Sequence, residues 1–281
     1  ERGGRLSNCF LDGVLSKKLK ELNRVKTLSG SYEFTEAAIH EAAQKLKDLP
    51  FDGLVSTNEN AYDLLCLGTS AEQTIDGRKS SYTIRYIDWD NPVNNDFHVA
   101  AEFSVEKAKS KDTRRPDLVL FVNGIPFGAI ECKAPKADID IDQGISQWLG
   151  YQQPDEIPDF FKTIQLLLVA NAKEAKYATV GTPITHWLEW QDTLTDSEES
   201  ELLASINQPL PEEALARILA EPFKPHEAKA YRDKVAAGDR LATGQDRLIY
   251  TLLRPERFLE LTYRFMVYDN GDKKVARYQQ Y

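Results

Sequence analysis

The sequence predicts an α/β fold: a sheet flanked by helices, followed by a mostly helical extension. Three observations predict it. Apolar residues first recur at helical spacing, at Ile39, Ala42, Ala43 and Leu46; the period then shortens to the two-residue alternation of strands between Tyr82 and Lys133; beyond Trp190 the helical spacing returns. The chain has 281 residues, and at about 150 residues per domain that is room for roughly two units. The division expected is a catalytic-sized unit over 1–190 and an acidic connection with a helical extension over 191–281.

Taken in order, the first sixty residues read as helical. Thr35 stands where an N-cap is needed ahead of the Ile39 to Leu46 face, and Pro50 follows its end. A second short helix is expected from Asn60 to Leu67, stopped by Gly68. Tyr82 to Asp88, Phe97 to Val105, Asp117 to Val122 and Ile125 to Lys133 are rich in aromatic and β-branched residues and read as strands of an antiparallel meander. Asp138 to Tyr151 reads as a helix weakened by Gly144 and Gly150, and Thr163 to Ala170 as a buried strand. Further helices are expected at Glu212 to Ala220, Glu227 to Ala237 and Gln245 to Val267. The Asp88-Trp89-Asp90-Asn91-Pro92 run, with Asn94, Asn95 and Asp96 behind it, has the composition of a turn and is assigned a structural role.

Composition excludes several classes. Hydrophobic residues are 42% and charged residues 28% of the chain, a globular balance. The longest apolar runs, Leu118 to Val122 and Leu166 to Ala170, fall far short of the ~18 residues of a membrane span. Cys9, Cys66 and Cys132 have neither disulfide parity nor metal spacing and read as thiols of a reducing cytosol. With 44 acidic and 35 basic residues the net charge is -9, so nucleic acid can be met only through a local patch. Lys107, Lys109, Lys111, Arg114 and Arg115 form one. The opposite extreme, from Asp192 to Glu213, carries seven acidic side chains and no Lys or Arg, and reads as a solvated connection or surface helix. His40, His98, His186 and His226 have no ligand spacing.

The chemistry concentrates between Arg114 and Lys133. Asn123-Gly124 between two apolar runs is a strong hairpin signal, which lays the far ends of both arms side by side. Asp117 opens one arm; Glu131 and Lys133 close the other, projecting from one face of their strand while Cys132 turns away. Two carboxylates and an ammonium suit phosphodiester hydrolysis: hard oxygens for Mg²⁺, and a compact cation where negative charge develops. A surface salt-bridge cluster at a strand end has the same residue types. Parity discriminates. A strict two-residue loop without irregularity would put Asp117 and Glu131 on opposite faces, so a three-residue Val122-Asn123-Gly124 loop pairing Phe121 with Ile125 is expected, or else a bulge near Pro126 or Gly128. As a strand-end residue, Lys133 is expected to contribute little to packing.

Pro116-Asp117 with Glu131-Cys132-Lys133 resembles the PD-(D/E)xK nuclease signature. More narrowly, Arg-Pro-Asp-Leu-Val-Leu-Phe-Val-Asn-Gly-Ile-Pro followed by Ile-Glu-Cys-Lys resembles the N-terminal endonuclease domain of the restriction subunit of type I restriction-modification enzymes. Gln147 and Tyr151 stand at the spacing of that family's Gln-x-x-x-Tyr element, and Ile87-Asp88-Trp89-Asp90-Asn91-Pro92 adds to the likeness, which covers roughly residues 36–190. Cys132 replaces an expected aliphatic residue and is taken as a small buried hydrophobe. The resemblance implies a restriction-endonuclease-like core, a mixed sheet flanked by helices, that cuts duplex DNA with Mg²⁺. Asp117 and Glu131 would hold the metal, with Glu36 as a further carboxylate and Glu41 close behind. Lys133 would assist the attacking water, and Gln147, Tyr151, Arg114 and Arg115 would support or bind DNA.

Recognition would then lie in separate specificity and methyltransferase subunits. No Gly-x-x-x-x-Gly-Lys-Ser/Thr loop is present, so ATP is expected to act only through a motor outside this chain, toward which Lys274 to Tyr281 would lead. Other PD-(D/E)xK nucleases, of repair or mobile elements, and a non-catalytic docking module remain the alternatives. The compartment expected is the cytoplasm.

Overall fold

The architecture rests on one five-stranded mixed sheet whose strands come from the middle of the chain. In this computed structural model residues 4–134, 141–191, 193–219 and 225–280 are described. Before the sheet come helix α1 (Asp12–Leu22), a small hairpin β1 (Arg24–Thr27) and β2 (Gly30–Glu33), helices α2 (Glu36–Lys47) and α3 (Leu54–Leu67), and a longer hairpin β3 (Thr69–Ile75) and β4 (Arg78–Ile84). The sheet uses β5 (Phe97–Ala101), then, past the short ribbon β6 (Val105–Glu106) and β7 (Thr113–Arg114), β8 (Leu118–Val122) and β9 (Ile125–Cys132). Helix α4 (Ile141–Tyr151) crosses to β10 (Leu166–Ala170), and β11 (Ala175–Ala178) forms the edge. The strand order is β11-β10-β9-β8-β5, antiparallel everywhere except between β9 and β10. That parallel pair is what α4 makes possible, since parallel neighbours need a crossover.

Thr35 caps α2 as expected, its hydroxyl accepting from the Ala38 N–H at 3.2 Å, and Ile39, Ala42, Ala43 and Leu46 are buried. The first sixty residues are not all helical, however. The β1–β2 hairpin interrupts them, and α3 begins at Leu54 instead of Asn60. Tyr82 lies in β4, which pairs with β3 in a sheet of its own rather than joining the meander. The helix expected from Asp138 is described from Ile141; its first three positions lie outside the described residues, as do Asp192, Ala220 and Tyr281.

Beyond the sheet follow α5 (Asp196–Asn207), α6 (Glu212–Ile218), α7 (Pro225–Ala237), α8 (Gly244–Leu253), α9 (Pro255–Arg264) and a last hairpin of β12 (Met266–Asp269) and β13 (Asp272–Val275). The amphipathic stretch from Gln245 is split because Pro255 cannot continue a helix but can start one. The acidic run is a surface helix with a partner: Glu199 binds Arg247, and Glu201 accepts from Tyr250 on α8. The extension also shares the central core. Leu248, Leu252, Phe258, Leu259, Leu261 and Met266 belong to the same apolar cluster as the sheet, so residues on both sides of position 190 pack together. The Asp88 to Asp96 run is a structural turn: Asp88 accepts from Asn91 N–H and Asn94, and Trp89 donates to the Leu65 carbonyl while stacking on Tyr263. Among the described residues no helix is long and apolar enough to cross a membrane.

Candidate active site

The hairpin that carries the site turns tightly. Val122 pairs with Ile125, and Asn123 and Gly124 both have positive φ, +54° and +79°, the conformation of a two-residue type I′ turn. The expected three-residue loop is therefore not formed. The alternative device is used: the register shifts between Leu120 and Phe121, which face Gly128 and Pro126, so Phe127 is an extra residue bulged out of the ladder. From there Leu118 faces Ile130, and the next pair outward is Asp117 with Glu131. One bulged residue thus brings both carboxylates to one face.

The turn is built into the interior. Asn123 is fully buried; its amide donates to the Tyr86 carbonyl and to Asn95 Oδ1, and its side-chain oxygen accepts from the Asp96 N–H. Gly124 faces the start of α1 so closely that a Cβ there would lie 2.7 Å from the Leu11 carbonyl oxygen. A non-glycine residue is thus excluded both by φ and by space.

At the open end of the hairpin the side chains converge. The Cys132 backbone N–H donates to Asp117 Oδ2 at 2.7 Å, tying the first carboxylate to the second strand. Glu131 is only 2% exposed. Its Oε1 accepts from Lys133 Nζ at 2.7 Å. The Lys133 ammonium also donates to Gln147 Oε1 at 2.8 Å, and the Gln147 amide in turn donates to the Tyr151 hydroxyl at 2.9 Å. One turn of helix separates Gln147 from Tyr151, so α4 carries both to the lysine. The other oxygen of Glu131, Oε2, is buried with no hydrogen-bond partner among the described residues. Burial first, and the charge of Asp117 next, raise the Glu131 pKa against the pull of Lys133. Lys133 is more engaged than a strand-end lysine was expected to be: at 16% exposure it is the ammonium partner of a buried carboxylate. Cys132 is exposed, not buried. Partial desolvation, then the charges of Asp117 and Glu131, push its thiol up to about 11.

Gly144 sets how closely α4 lies over this site. A Cβ there would stand 2.4 Å from Val169 Cγ1 and 3.2 Å from Lys133 Cε. Glu131 and Val169 are neighbours across the parallel ladder, so a side chain at 144 would lift the helix from both strands. Gly144→Ala is expected to cost about 1–3 kcal/mol by overpacking and to move Gln147 away from Lys133. Thermal melting checks this; a variant that melts like wild type would show that Val169 and the lysine stem yield freely.

The remaining expected residues lie apart. Glu36 begins α2, and its carboxylate, 82% exposed, pairs with Lys20 on α1; Glu41 pairs with Lys45. Among the described residues no group of three or more His, Cys, Asp or Glu is poised to hold a metal, so Glu36 is not brought to Asp117 and Glu131. Arg115 pairs with Glu102. Arg114 makes a bidentate pair with Glu156, at 2.5 and 2.8 Å, with its guanidinium carbon 5.9 Å from the centre of the Tyr151 ring. Lys107 joins the same carboxylate at 2.8 Å. Sequence reading missed Glu156: it lies in a loop far along the chain from both cations, and no spacing advertises it.

The family model for the type I restriction enzyme R protein N terminus matches residues 4–185, a span that contains the whole site. Over 78% of the chain, the sequence is 26% identical to a Methanocaldococcus jannaschii protein named as the type I restriction enzyme MjaIXP endonuclease subunit, of which 19% is covered. Over 99% of the chain it is 24% identical to the type I restriction enzyme HindI endonuclease subunit of Haemophilus influenzae, of which 22% is covered. The chain spans about a fifth of the length of these relatives.

Proposed function

We propose, since the chain belongs to the family of type I restriction enzyme R protein N termini, that it hydrolyses phosphodiester bonds of duplex DNA with Mg²⁺ as the endonuclease part of such an enzyme. The observation that carries the reading is the buried Glu131 Oε2, without a hydrogen-bond partner among the described residues, beside Asp117 and Lys133. An ionised oxygen without a partner in the interior is costly, and a hard cation is the ligand that would offset it. The donor set fits: Asp117 and Glu131 offer carboxylate oxygens only.

Bound there, Mg²⁺ would polarise the scissile phosphate and lower the pKa of the attacking water. Lys133 would hold its positive charge where negative charge grows on the phosphate oxygens. Gln147 holds the lysine in place through its carbonyl oxygen, and Tyr151, by accepting from the amide nitrogen, decides which way that amide faces. Neither a repair nuclease nor a docking scaffold is favoured by any particular contact, and an intact Asp, Glu and Lys in mutual reach is more than a scaffold requires. The partners follow from the family: duplex DNA as substrate, with specificity and methyltransferase subunits and an ATP-driven motor completing a cytoplasmic assembly.

The purified chain should nick plasmid weakly and without sequence preference in Mg²⁺, stop in EDTA, and turn over no ATP, since it has no phosphate-cradling loop. With a net charge of -9 its DNA affinity should be poor. Nicking that continues in EDTA, or measurable ATPase activity, would sink the reading.

A further inference from the structure

The cations nearest the site are not free to meet DNA. Glu156 Oε1 is shared between Lys107 Nζ and Arg114 Nη2, both at 2.8 Å, while Oε2 takes Arg114 Nε at 2.5 Å. This is the fork-on-oxyanion geometry by which arginine and lysine hold a phosphate. Glu156 is itself held from behind, because its backbone carbonyl accepts from the Ala108 N–H at 2.7 Å on the same loop as Lys107. The fork adjoins the catalytic chain of contacts through the Tyr151 ring, the ring whose hydroxyl orients Gln147 toward Lys133. Two cations share one carboxylate, and the Asp112 charge also acts on Arg114. Beside it Lys109 and Lys111 line a cavity of about 510 Å³ with Lys107 and Glu156; Glu106 and Asp159 are the other acids on its wall, and Asp159 is paired with Lys162.

We propose that Lys107 and Arg114 form a backbone-phosphate site of the DNA path, and that Glu156 occupies it as an internal stand-in for the phosphate, holding the nuclease in a weakly binding state until DNA displaces it. This rests on the nuclease reading and adds its regulation. The hydrogen bonds from Arg114 and Lys107 hold the Glu156 carboxyl down at about 2, so no physiological pH neutralises it. Only a competing anion, pressed in at high local concentration, opens the fork. A motor or sequence-reading partner that delivers DNA supplies that concentration.

The test is the salt dependence of duplex binding by the 281-residue chain and its Glu156→Gln variant, which keeps the shape and removes the charge. Each cation newly engaged on DNA steepens the slope of log K against log salt by about 0.9. Glu156→Gln should therefore steepen it by about 1 to 2 and tighten binding roughly tenfold at low salt. Adding Lys107→Ala or Arg114→Ala in that background should reverse about one unit each, whereas in the wild-type background either change should leave the slope unaltered. A folded Glu156→Gln with the wild-type slope overturns the proposal. If that variant does not fold, the single lysine and arginine variants decide: an unaltered slope supports the closed fork, and a loss of about one unit shows cations already on DNA and overturns it. Wild type and Glu156→Gln both failing to bind duplex at low salt would overturn the nuclease reading as well; binding with an unaltered slope overturns the closed fork alone.

Discussion

Glu131→Gln should cut DNA about a hundredfold more slowly or worse, and yet melt higher than wild type at neutral pH. The two effects share one cause. Burial, with Asp117 alongside, raises the Glu131 pKa above its ordinary value. A carboxylate whose folded pKa is raised binds its proton more readily in the native state, so stability falls as pH climbs from the ordinary value of 4.5 through the folded one. Above both values the side chain is therefore a standing cost. The amide removes that cost while its oxygen still accepts from Lys133, and the melting temperature should rise by a few degrees. It also removes the charge that a cation needs: Mg²⁺ should raise the melting temperature of wild type and leave that of the variant unmoved. Melting across pH 4 to 8 with and without Mg²⁺, beside a nicking assay, gives all three readings. A variant that melts below wild type and still cuts would refute both the electrostatic account and the metal assignment. Removing the lysine instead strands a buried carboxylate, so Lys133→Ala should lose stability along with cleavage, contrary to what a strand-end position suggests.

The second large effect is expected far from the chemistry. Lys273, on the last hairpin, is 4% exposed, and no carboxylate among the described residues neutralises it. Its Nζ donates to Asn58 Oδ1 at 2.8 Å and Gln165 Oε1 at 2.5 Å, and faces the rings of Tyr62 and Tyr268 at 5.7 and 5.3 Å. It thereby ties β13 to α3 and to the start of β10. Lys273→Ala empties the cage and strands the Gln165 oxygen, which should cost about 3 kcal/mol and lower the melting temperature by roughly 6 to 12 °C. The sign of the pH effect is opposite to that of Glu131. Burial holds the Lys273 pKa well below 10.5, so the unfolded chain binds the extra proton, and stability rises with pH between the folded value and 10.5. Lys273→Met, which keeps the bulk, should flatten that rise. An alanine variant as stable as wild type would mean that the hairpin is held by its apolar contacts alone.

These cases mark what a sequence can disclose. Asn123-Gly124 was legible because the pair answers to a local demand, two successive residues at positive φ, which few dipeptides meet. Asn270-Gly271 has the same signature, at +52° and +83°, and went unread only because it lies beyond an apolar run that looked helical up to Val267. Gln147 and Tyr151 were legible by helical spacing. The bulge was not, since Phe127 is one apolar residue in a strand buried on both faces, and nothing local says which residue of such a strand is left unpaired. The basic run was read as free charge because counting sees sign and not partners; Glu156 cancels part of it from another element. Glu36 has the right chemistry, and its position at the head of α2 directs it to Lys20.

The bulged Phe127 also has a genetic consequence. Thirteen residues separate Asp117 from Glu131, one more than a regular two-residue hairpin pairing them would hold, and the bulge absorbs the odd one. Losing the Phe127 codon would therefore straighten the ladder and leave the two carboxylates opposite each other, whereas gaining one codon in β9 would send them to opposite faces of the sheet unless a second bulge formed. That arm tolerates a loss at one place and a gain at none.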